Sequence, residues 1–415
     1  MSEFGSKRIG AIDVLRGVAV LGILLMNIQS FSMVESAYMN PGSYGDFTGL
    51  NAVVWALGRL FADQKFMTLF SLLFGAGLVL MAEKAVANGR RPSAAHYRRM
   101  VVLLGVGLAH AYLLWYGDIL TIYAVCGLVV YLVRKWRPAI LFGIGVAFVL
   151  VGAAIFGVLQ LTFDYWPHEV MAEVESLWNP TPDRTQWQLD IYREGYMRQF
   201  EHRVPTTFSF QTQTFLMLFF WRVSGLMLIG MALFKWKVLG AYRTAGFYKR
   251  MLVFGLLVGL PIEACGMYYM NALDWDVRVM IPGMLFNYFS SLFIAAAYIG
   301  IVMLIHQSGR FSAFERKMSA VGRMAFTNYI MQTLICTMLF YGQGFGLFGH
   351  LERWQQVLVV VAVWVLQVLW SEWWLKRFEN GPLEWFWRCA TYMRVMPWRK
   401  RGESFSEDAP PVLQS

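Results

Sequence analysis

Near the start of the chain, residues 12–27 read IDVLRGVAVLGILLMN. This stretch is mostly apolar and can form most of a membrane-crossing helix, which needs about 20 residues. Asp13 and Arg16 are three residues apart and therefore share one helical face, and Asn27 adds a polar group further along. Charges at the edge of hydrocarbon cost free energy. The pair therefore indicates either a binding role or an ion pair that fixes the helix end.

The composition extends this interpretation to the whole chain. Hydrophobic residues make up 57% of it and charged residues only 15%, whereas soluble domains are about half apolar and a quarter charged. Strand-type alternation is absent, so we predict an all-α, polytopic transmembrane helical bundle. About ten spans are expected, at residues 11–33, 60–82, 98–116, 118–134, 138–160, 211–234, 250–270, 281–305, 320–341 and 354–375.

The basic residues predict the orientation of this bundle. With the N-terminus inside, most Lys and Arg fall in loops on the cytoplasmic side, which places both termini in the cytoplasm. We expect residues 1–400 to form one transmembrane domain with an outer amphipathic loop at about 161–210, and residues 401–415 to form a polar, disordered cytoplasmic tail. The net charge of +10 follows from this topology, so no nucleic-acid partner is expected. The four cysteines show no metal-ligand spacing, and no metal site is predicted.

His110 is the histidine that lies well inside a predicted span, and Asp118 opens the next span after the turn at Gly117. An imidazole can move a proton or accept an acyl group near neutral pH, and an acid on a neighbouring helix can orient it. The alternative is that Asp118 caps its helix and His110 is a packing residue. Asp63, at the outer start of the second span, lies near the same face as Asp118.

Two further charges lie at membrane depth, Arg222 in the sixth span and Glu263 in the seventh. A charge at the bilayer centre needs a partner or a water-filled cavity. Arg222 and Glu263 could pair with each other, or Arg222 could hold an anionic ligand through its planar donor group; a purely structural ion pair remains open. We expect the scattered polar side chains to gather around one wet chamber that is reachable from both faces.

Five segments together resemble the YeiB family of bacterial inner-membrane proteins. They read DVLRG (13–17), FSLLFGAG (70–77), HAYLLWYGDIL (110–120), GRMAFTNY (322–329) and GPLEW (381–385). The resemblance covers nearly the whole chain and implies a multi-pass protein of the bacterial inner membrane. It supplies an architecture rather than an activity, because the family is largely uncharacterised.

A more distant resemblance is to transmembrane acyltransferases of the heparan-alpha-glucosaminide N-acetyltransferase type. Their first span has an Asp-x-x-Arg-Gly start and an asparagine fourteen residues after the aspartate, which Asp13, Arg16 and Asn27 match, and an aspartate opening their second span is similar to Asp63. The resemblance implies roles for these residues in holding acyl-CoA and an acceptor. The relatives' catalytic histidine lies in the first outer loop, but residues 34–62 contain no histidine and Tyr38 is near its expected place.

Our leading hypothesis is an acyltransferase that uses cytoplasmic acyl-CoA, such as acetyl-CoA, and a small-molecule, glycan or lipid acceptor at the periplasmic side. Its expected catalytic residues are His110, Asp118 and Asp63, and its expected binding residues are Asp13, Arg16, Asn27, Arg222 and Glu263. Membrane lipids are expected partners and a homodimer is a possibility. The alternatives are a transporter or exporter of a small polar or amphiphilic metabolite, and a non-catalytic scaffold or sensor.

Overall fold

Helices dominate the part of the chain that the computed structural model describes, residues 3–89 and 91–400, with side chains from residue 10 onward. In that part the α-helices are, in order, α1 (Glu3–Ser32), α2 (Ser36–Met39), α3 (Gly49–Phe61), α4 (Lys65–Ala87), α5 (Pro92–Leu113), α6 (Leu120–Val130), α7 (Pro138–Leu161), α8 (His168–Trp178), α9 (Pro182–Arg193), α10 (Tyr196–Ser209), α11 (Phe220–Lys235), α12 (Ala245–Ala272), α13 (Met280–Ser308), α14 (Ser312–Arg323), α15 (Ala325–Phe340), α16 (Arg353–Arg377) and α17 (Pro382–Tyr392). The β pairing described there is one isolated bridge between Phe378 and Arg399.

Each of the ten predicted spans coincides with a helix, and the polytopic helical bundle is confirmed. Among the described residues, the helical stretches long and apolar enough to cross a membrane are Gly10–Ser32, Gly49–Ala87, Pro138–Leu161, Tyr196–Lys235, Ala245–Ala272, Val277–Ser308 and Arg353–Arg377. The other three predicted spans correspond to α5, which begins with polar and basic residues, and to the shorter apolar helices α6 and α15.

Several boundaries differ from the prediction. The predicted span 60–82 crosses the break between α3, which ends at Phe61, and α4, which begins at Lys65. The predicted span 320–341 is interrupted at Met324, because α14 ends at Arg323 and α15 begins at Ala325. The predicted outer loop folds into α8, α9 and α10, and α10 continues through a π-helical segment, Phe210–Phe219, into α11. The predicted tail at 401–415 lies outside the described residues.

Helix α1 occupies the centre of the bundle. In its apolar stretch 72% of the residues are buried, against 22–28% for α7, α12 and α16, whose surfaces are therefore available to lipid. Glycines allow α1 to cross α14 closely: a Cβ at Gly17 would collide with the carbonyl of Met318, and one at Gly322 with the carbonyl of Asp13. Small residues permit this close backbone approach inside a membrane.

Helices α8–α10, residues 168–209, form a cover over one face of the bundle. The guanidinium of Arg203 donates to the carbonyls of Tyr112 (2.9 Å) and Leu114 (3.1 Å), which closes the end of α5. The indole N–H of Trp178 donates to the carbonyl of Trp275 at 2.6 Å. The cover is therefore fastened to the bundle by partly buried side-chain-to-backbone hydrogen bonds. We call the other face, which carries Lys84, Arg99, Arg323 and Arg388, the basic face.

Helix α17 supports the start of α15 from the basic face. The carboxylate of Glu384 accepts hydrogen bonds from the N–H groups of Phe326 (2.7 Å) and Thr327 (3.1 Å) and from the hydroxyl of Thr327 (2.6 Å). A carboxylate at a helix N-terminus satisfies free N–H groups and opposes the positive end of the helix dipole. Burial raises the pKa of Glu384, which these hydrogen bonds oppose.

We expect Gly17→Ala or Gly322→Ala to destabilise the protein by about 1–3 kcal/mol, because the added methyl group overpacks the α1–α14 crossing. The matched control is Gly105→Ala in α5, where an added Cβ meets no atom within 4 Å. That variant should be neutral or stabilising by up to about 1 kcal/mol. Thermal unfolding in detergent measures all three, and equal midpoints would contradict the close crossing.

Glu35, between α1 and α2, contacts the cover and has a raised pKa. Its backbone N–H donates to Gln188 of α9 at 3.2 Å, and burial raises its pKa from 4.5 to about 7, opposed by Arg184 and Gln188. The folded protein therefore keeps a proton that the unfolded chain loses near pH 4.5. The stability from this group is present below about pH 4.5 and is lost as the pH rises through about 7.

We expect amide hydrogen exchange in α9 to speed up as the pH is raised from 5.5 to 8.5, after correction for the intrinsic pH dependence of exchange. Glu35→Gln should remove this increase, because the amide stays neutral throughout. Glu173→Gln, at an exposed position of the cover, is the control and should behave as the unmodified protein. The same pH response in Glu35→Gln would show that another group is responsible.

Candidate functional site

A cavity of about 500 Å³ opens at the basic face. Its wall is built by α1, α4, α5, α6, α14, α15 and α17. Cationic side chains line its rim: Arg16, Lys84, Arg99, Arg323 and Arg388. Along α1 the wall runs from Ile12 to Ile23, which corresponds to a depth of about 17 Å at 1.5 Å per residue.

The interior of this cavity is apolar. Beyond the rim its wall consists mainly of aliphatic and aromatic side chains, including Val20, Phe70, Leu73 and Leu103, and its deep end is formed by Ile119, Leu120 and Tyr329. Cationic groups favour phosphate or carboxylate, and apolar walls favour hydrocarbon. The cavity therefore matches an anionic amphiphile, with the charged part at the rim and the chain inside.

Asp13 and Arg16 lie in the wall of the cavity. Nη1 of Arg16 is 2.7 Å from Oδ1 of Asp13, so the two side chains form an ion pair across one helical turn. The side chain of Arg16 keeps 29% of its surface exposed. Its remaining N–H donors can therefore contact a ligand while Asp13 holds it in position. Asn27 is half-buried and is not part of this wall.

His110, Asp118 and Thr333 form a buried hydrogen-bonded chain. Nδ1 of His110 lies 2.8 Å from Oδ1 of Asp118, and Nε2 lies 2.9 Å from Oγ1 of Thr333. The second oxygen of Asp118 accepts the N–H of Thr121 at 2.7 Å. Asp118 therefore orients the imidazole of His110 and also accepts a hydrogen bond from a backbone N–H at the start of α6. The interpretation as an orienting acid and the interpretation as a helix cap are therefore compatible.

Tyr329 connects this chain to the cavity. Its ring lines the deep end of the cavity and lies 5.3 Å, between ring centroids, from the imidazole of His110. Its hydroxyl accepts the N–H of Ile119 at 3.3 Å, which holds the ring in place. His110 itself is 2% exposed and does not line the cavity. The hydrogen-bonded chain therefore begins directly behind this tyrosine.

Asp63 and Glu263 belong to a separate cluster near the cover side. Arg59 bridges them, with Nη1 2.8 Å from Asp63 and Nε 2.9 Å from Glu263. Lys65 is completely buried, and its Nζ contacts Glu263 at 2.8 Å and the side-chain oxygen of Asn287 at 2.7 Å. Two cations thus neutralise two carboxylates.

Other contacts complete this ionic cluster. The hydroxyl of Tyr38 donates to Asp63, and the amide of Asn287 donates to the second oxygen of Asp63 at 2.6 Å. Ser290 donates to Glu263. Asp63, Arg59 and Tyr38 line a pit of about 30 Å³, which has room for about one water-sized group.

Sequence reasoning missed Arg59 and Lys65 as members of this cluster. A signal was present, because Arg59 is four residues before Asp63 and such pairs meet on a helix. Lys65 follows Asp63 by two residues, which gives no comparable geometric signal. Its contact with Glu263 depends on how α4 packs against α12.

Arg222 occupies a third position inside the bundle. Nη2 donates to the hydroxyls of Thr68 (3.1 Å) and Ser291 (2.6 Å), and Nη1 donates to the carbonyl of Tyr288 (3.2 Å). The guanidinium also lies over the Tyr288 ring at 4.0 Å, a favourable cation–π geometry. The considered pairing with Glu263 is wrong, because Glu263 is held by two other cations.

The expectation of one common chamber is also wrong for the described residues. Asp13 and Arg16 line the cavity, His110 and Asp118 lie behind its deep end, Asp63 and Glu263 share the ionic cluster, and Arg222 binds hydroxyl groups. Each charge finds its partners locally, which is cheaper than sharing a single wet space inside hydrocarbon.

Comparison with known proteins supplies relatives but no activity. A family described as "Protein of unknown function (DUF418)" matches residues 233–394. The chain is 33% identical to the uncharacterized protein YeiB of Escherichia coli (strain K12), over 93% of this chain and 97% of the relative. It is 30% identical to the uncharacterized protein YxaH of Bacillus subtilis (strain 168), over 95% and 97%. No solved structure matches the chain.

We expect Lys65→Met and Glu263→Gln each to cost about 3–5 kcal/mol of stability, because Lys65→Met leaves the buried Glu263 with Arg59 as its one cationic partner and Glu263→Gln leaves the buried Lys65 without a carboxylate. The double variant should cost clearly less than the sum of the two. The control cycle is Arg198→Met and Glu194→Gln, an exposed pair at 3.4 Å, which should couple by less than about 1 kcal/mol. Additive effects at Lys65 and Glu263 in chemical denaturation would contradict the ion pair.

Proposed function

The chain belongs to the YeiB family of multi-pass membrane proteins, and we propose that in this chain the cavity binds acyl-CoA for transfer of the acyl group across the membrane. The acceptor is a hydroxyl or amine on the side of the cover. The observation that carries the proposal is the combination of a cationic rim with an apolar interior in one cavity. The protein would lie in the bacterial inner membrane with its basic face towards the cytoplasm.

The five segments that resemble the YeiB family all contribute to the wall of this cavity. They supply, among others, Asp13, Gly77, Leu120, Tyr329 and Glu384. These segments lie in five different parts of the sequence, yet the fold brings them to one place. This convergence supports the cavity, rather than the ionic cluster, as the substrate site.

The charge distribution fits the parts of acyl-CoA. The phosphates would contact Arg16, Lys84 and Arg388 at the rim, where Arg and Lys form strong charge-assisted hydrogen bonds. The acyl chain would replace water along the apolar wall, which contributes about 25 cal/mol for each Å² of apolar surface buried. The thioester would then lie at the deep end beside Tyr329, with the acyl chain turned back along the apolar wall.

The residues for the transfer lie between this cavity and the cover. His110, oriented by Asp118, would act as the general base. Asp63 and Tyr38 line the small pit on the cover side, so we propose that they contact the acceptor group. Arg222 and Glu263 would maintain the packing of α4, α11, α12 and α13 between the two regions.

We expect the double variant Lys84→Glu, Arg388→Glu to bind palmitoyl-CoA and acetyl-CoA about a hundredfold more weakly, because each of the two lost phosphate contacts is worth about 1.5 kcal/mol. Isothermal titration calorimetry with the purified protein measures the affinity. Lys249→Glu reverses a charge at an exposed position outside the cavity and should have no effect. Equal weakening in all variants, or no binding by the unmodified protein, would contradict the proposal.

The apolar interior is tested through Gly77, a wall residue at which an added Cβ meets no atom within 4 Å. Gly77→Phe places a ring in the cavity and should weaken the binding of palmitoyl-CoA more than the binding of acetyl-CoA. Gly105→Phe, in α5 outside the cavity wall, is the control. Loss of palmitoyl-CoA binding in both variants would point to general unfolding instead.

A transporter is the second candidate, and one observation favours it. Lys65, Thr68 and Ser71 follow one another at three-residue spacing on α4, and the Ser71 hydroxyl lies 2.9 Å from that of Tyr123 in the cavity wall. This row of polar groups runs from the ionic cluster towards the cavity. Flux of an anionic amphiphile into proteoliposomes without acyl-CoA would favour transport, and acyl transfer without net flux would favour the enzyme.

A further inference from the structure

We infer that Thr333 is the nucleophile of the reaction and carries the acyl group as an ester between donor and acceptor. The inference rests on the proposed function, since it requires acyl-CoA in the cavity. It adds a covalent intermediate and a residue that the sequence motifs did not indicate. It follows from the hydrogen-bonded series Asp118–His110–Thr333 and from the position of this series behind the deep end of the cavity.

The carboxylate of Asp118, the imidazole of His110 and the hydroxyl of Thr333 follow one another in the order of a catalytic triad. A carboxylate contacts one imidazole nitrogen at 2.8 Å, and the other nitrogen contacts a hydroxyl at 2.9 Å. Such triads recur on unrelated folds and are recognised by geometry and roles. With Asp118 ionised, the proton of the imidazole lies on Nδ1, and Nε2 is free to accept the hydroxyl proton of Thr333.

The hydroxyl of Thr333 has a different kind of hydrogen-bond partner from the hydroxyl of its neighbour Thr337. Thr337 donates to the carbonyl of Thr333 at 2.8 Å, the back-bonding that is usual for threonine in a helix. Thr333 instead directs its hydroxyl to the imidazole on α5. A threonine held in this way is positioned for activation by a general base.

Access to Thr333 runs through Tyr329, one helical turn earlier on α15. Tyr329 lines the cavity and contacts His110, while Thr333 is 1% exposed. Movement of this one ring would bring the deep end of the cavity to the hydroxyl. A thioester carbonyl held in the cavity would then meet Oγ1 of Thr333 from the basic side.

The two half-reactions balance without a further reactant. Oγ1 of Thr333 attacks the thioester carbonyl, its proton passes to Nε2 of His110, the carbon–sulfur bond breaks, and the proton goes to the departing CoA thiolate. In the second half, the acceptor hydroxyl or amine loses its proton to Nε2 and attacks the ester carbonyl. The bond to Oγ1 breaks, and the proton returns to Thr333.

The test is to incubate the purified protein with palmitoyl-CoA in the absence of an acceptor and to locate the acyl group by tandem mass spectrometry. We expect a mass increase on the peptide containing Thr333. The adduct should resist neutral hydroxylamine and be cleaved by alkaline hydroxylamine, because it is an ester. An adduct on Cys336, three residues away, would be a thioester and would be cleaved at neutral pH.

Matched variants test the roles of Thr333 and Asp118 separately from acyl-CoA binding. Thr333→Ser should keep the adduct, whereas Thr333→Val and Asp118→Asn should lose at least nine-tenths of it, with palmitoyl-CoA binding retained in each as the check on folding. Thr337→Val is the control and should label normally. Binding with no ester on Thr333, or equal labelling of Thr333→Val, would overturn this inference alone. Absence of acyl-CoA binding by the unmodified protein would overturn the proposed function with it.

Discussion

The cost of placing charge in hydrocarbon governs the interior of this protein. Each ionised side chain at membrane depth must find partners within a few ångströms, because no water is available to replace them. Glu263 therefore binds Arg59 and Lys65, and Arg222 binds hydroxyls, a carbonyl and an aromatic face. This constraint divides the polar residues into local clusters and leaves the cavity as the place where partly exposed cationic groups such as Arg16 can meet a ligand.

The helices could be predicted from the sequence because hydropathy and span length follow directly from the bilayer. The pairing of Asp13 with Arg16 could also be predicted, since both lie on one helix. The partners of Glu263 could not, because they depend on the order in which α3, α4 and α12 pack. The contact of Thr333 with His110 could not be predicted for the same reason, because the two residues are 223 positions apart in the sequence.

The cavity explains why segments far apart in the chain belong together. Asp13 of α1 lies beside Gly322 of α14, and Glu384 of α17 fixes the start of α15 at Phe326. Each of these segments holds the next in position while presenting a side chain to the same space. The same short stretches therefore both pack against one another and line the cavity.

The crossing of α1 and α14 also has a consequence for synthesis in the cell. Gly322 is translated about 300 positions after its partner Gly17. At 5–20 residues per second the delay is roughly 15–60 s. During that interval the central helix, with Asp13 and Arg16 near its end, has to be sheltered by the insertion machinery or by early neighbours such as α4. The packing around the central helix α1 is therefore completed only after α14 has been synthesised.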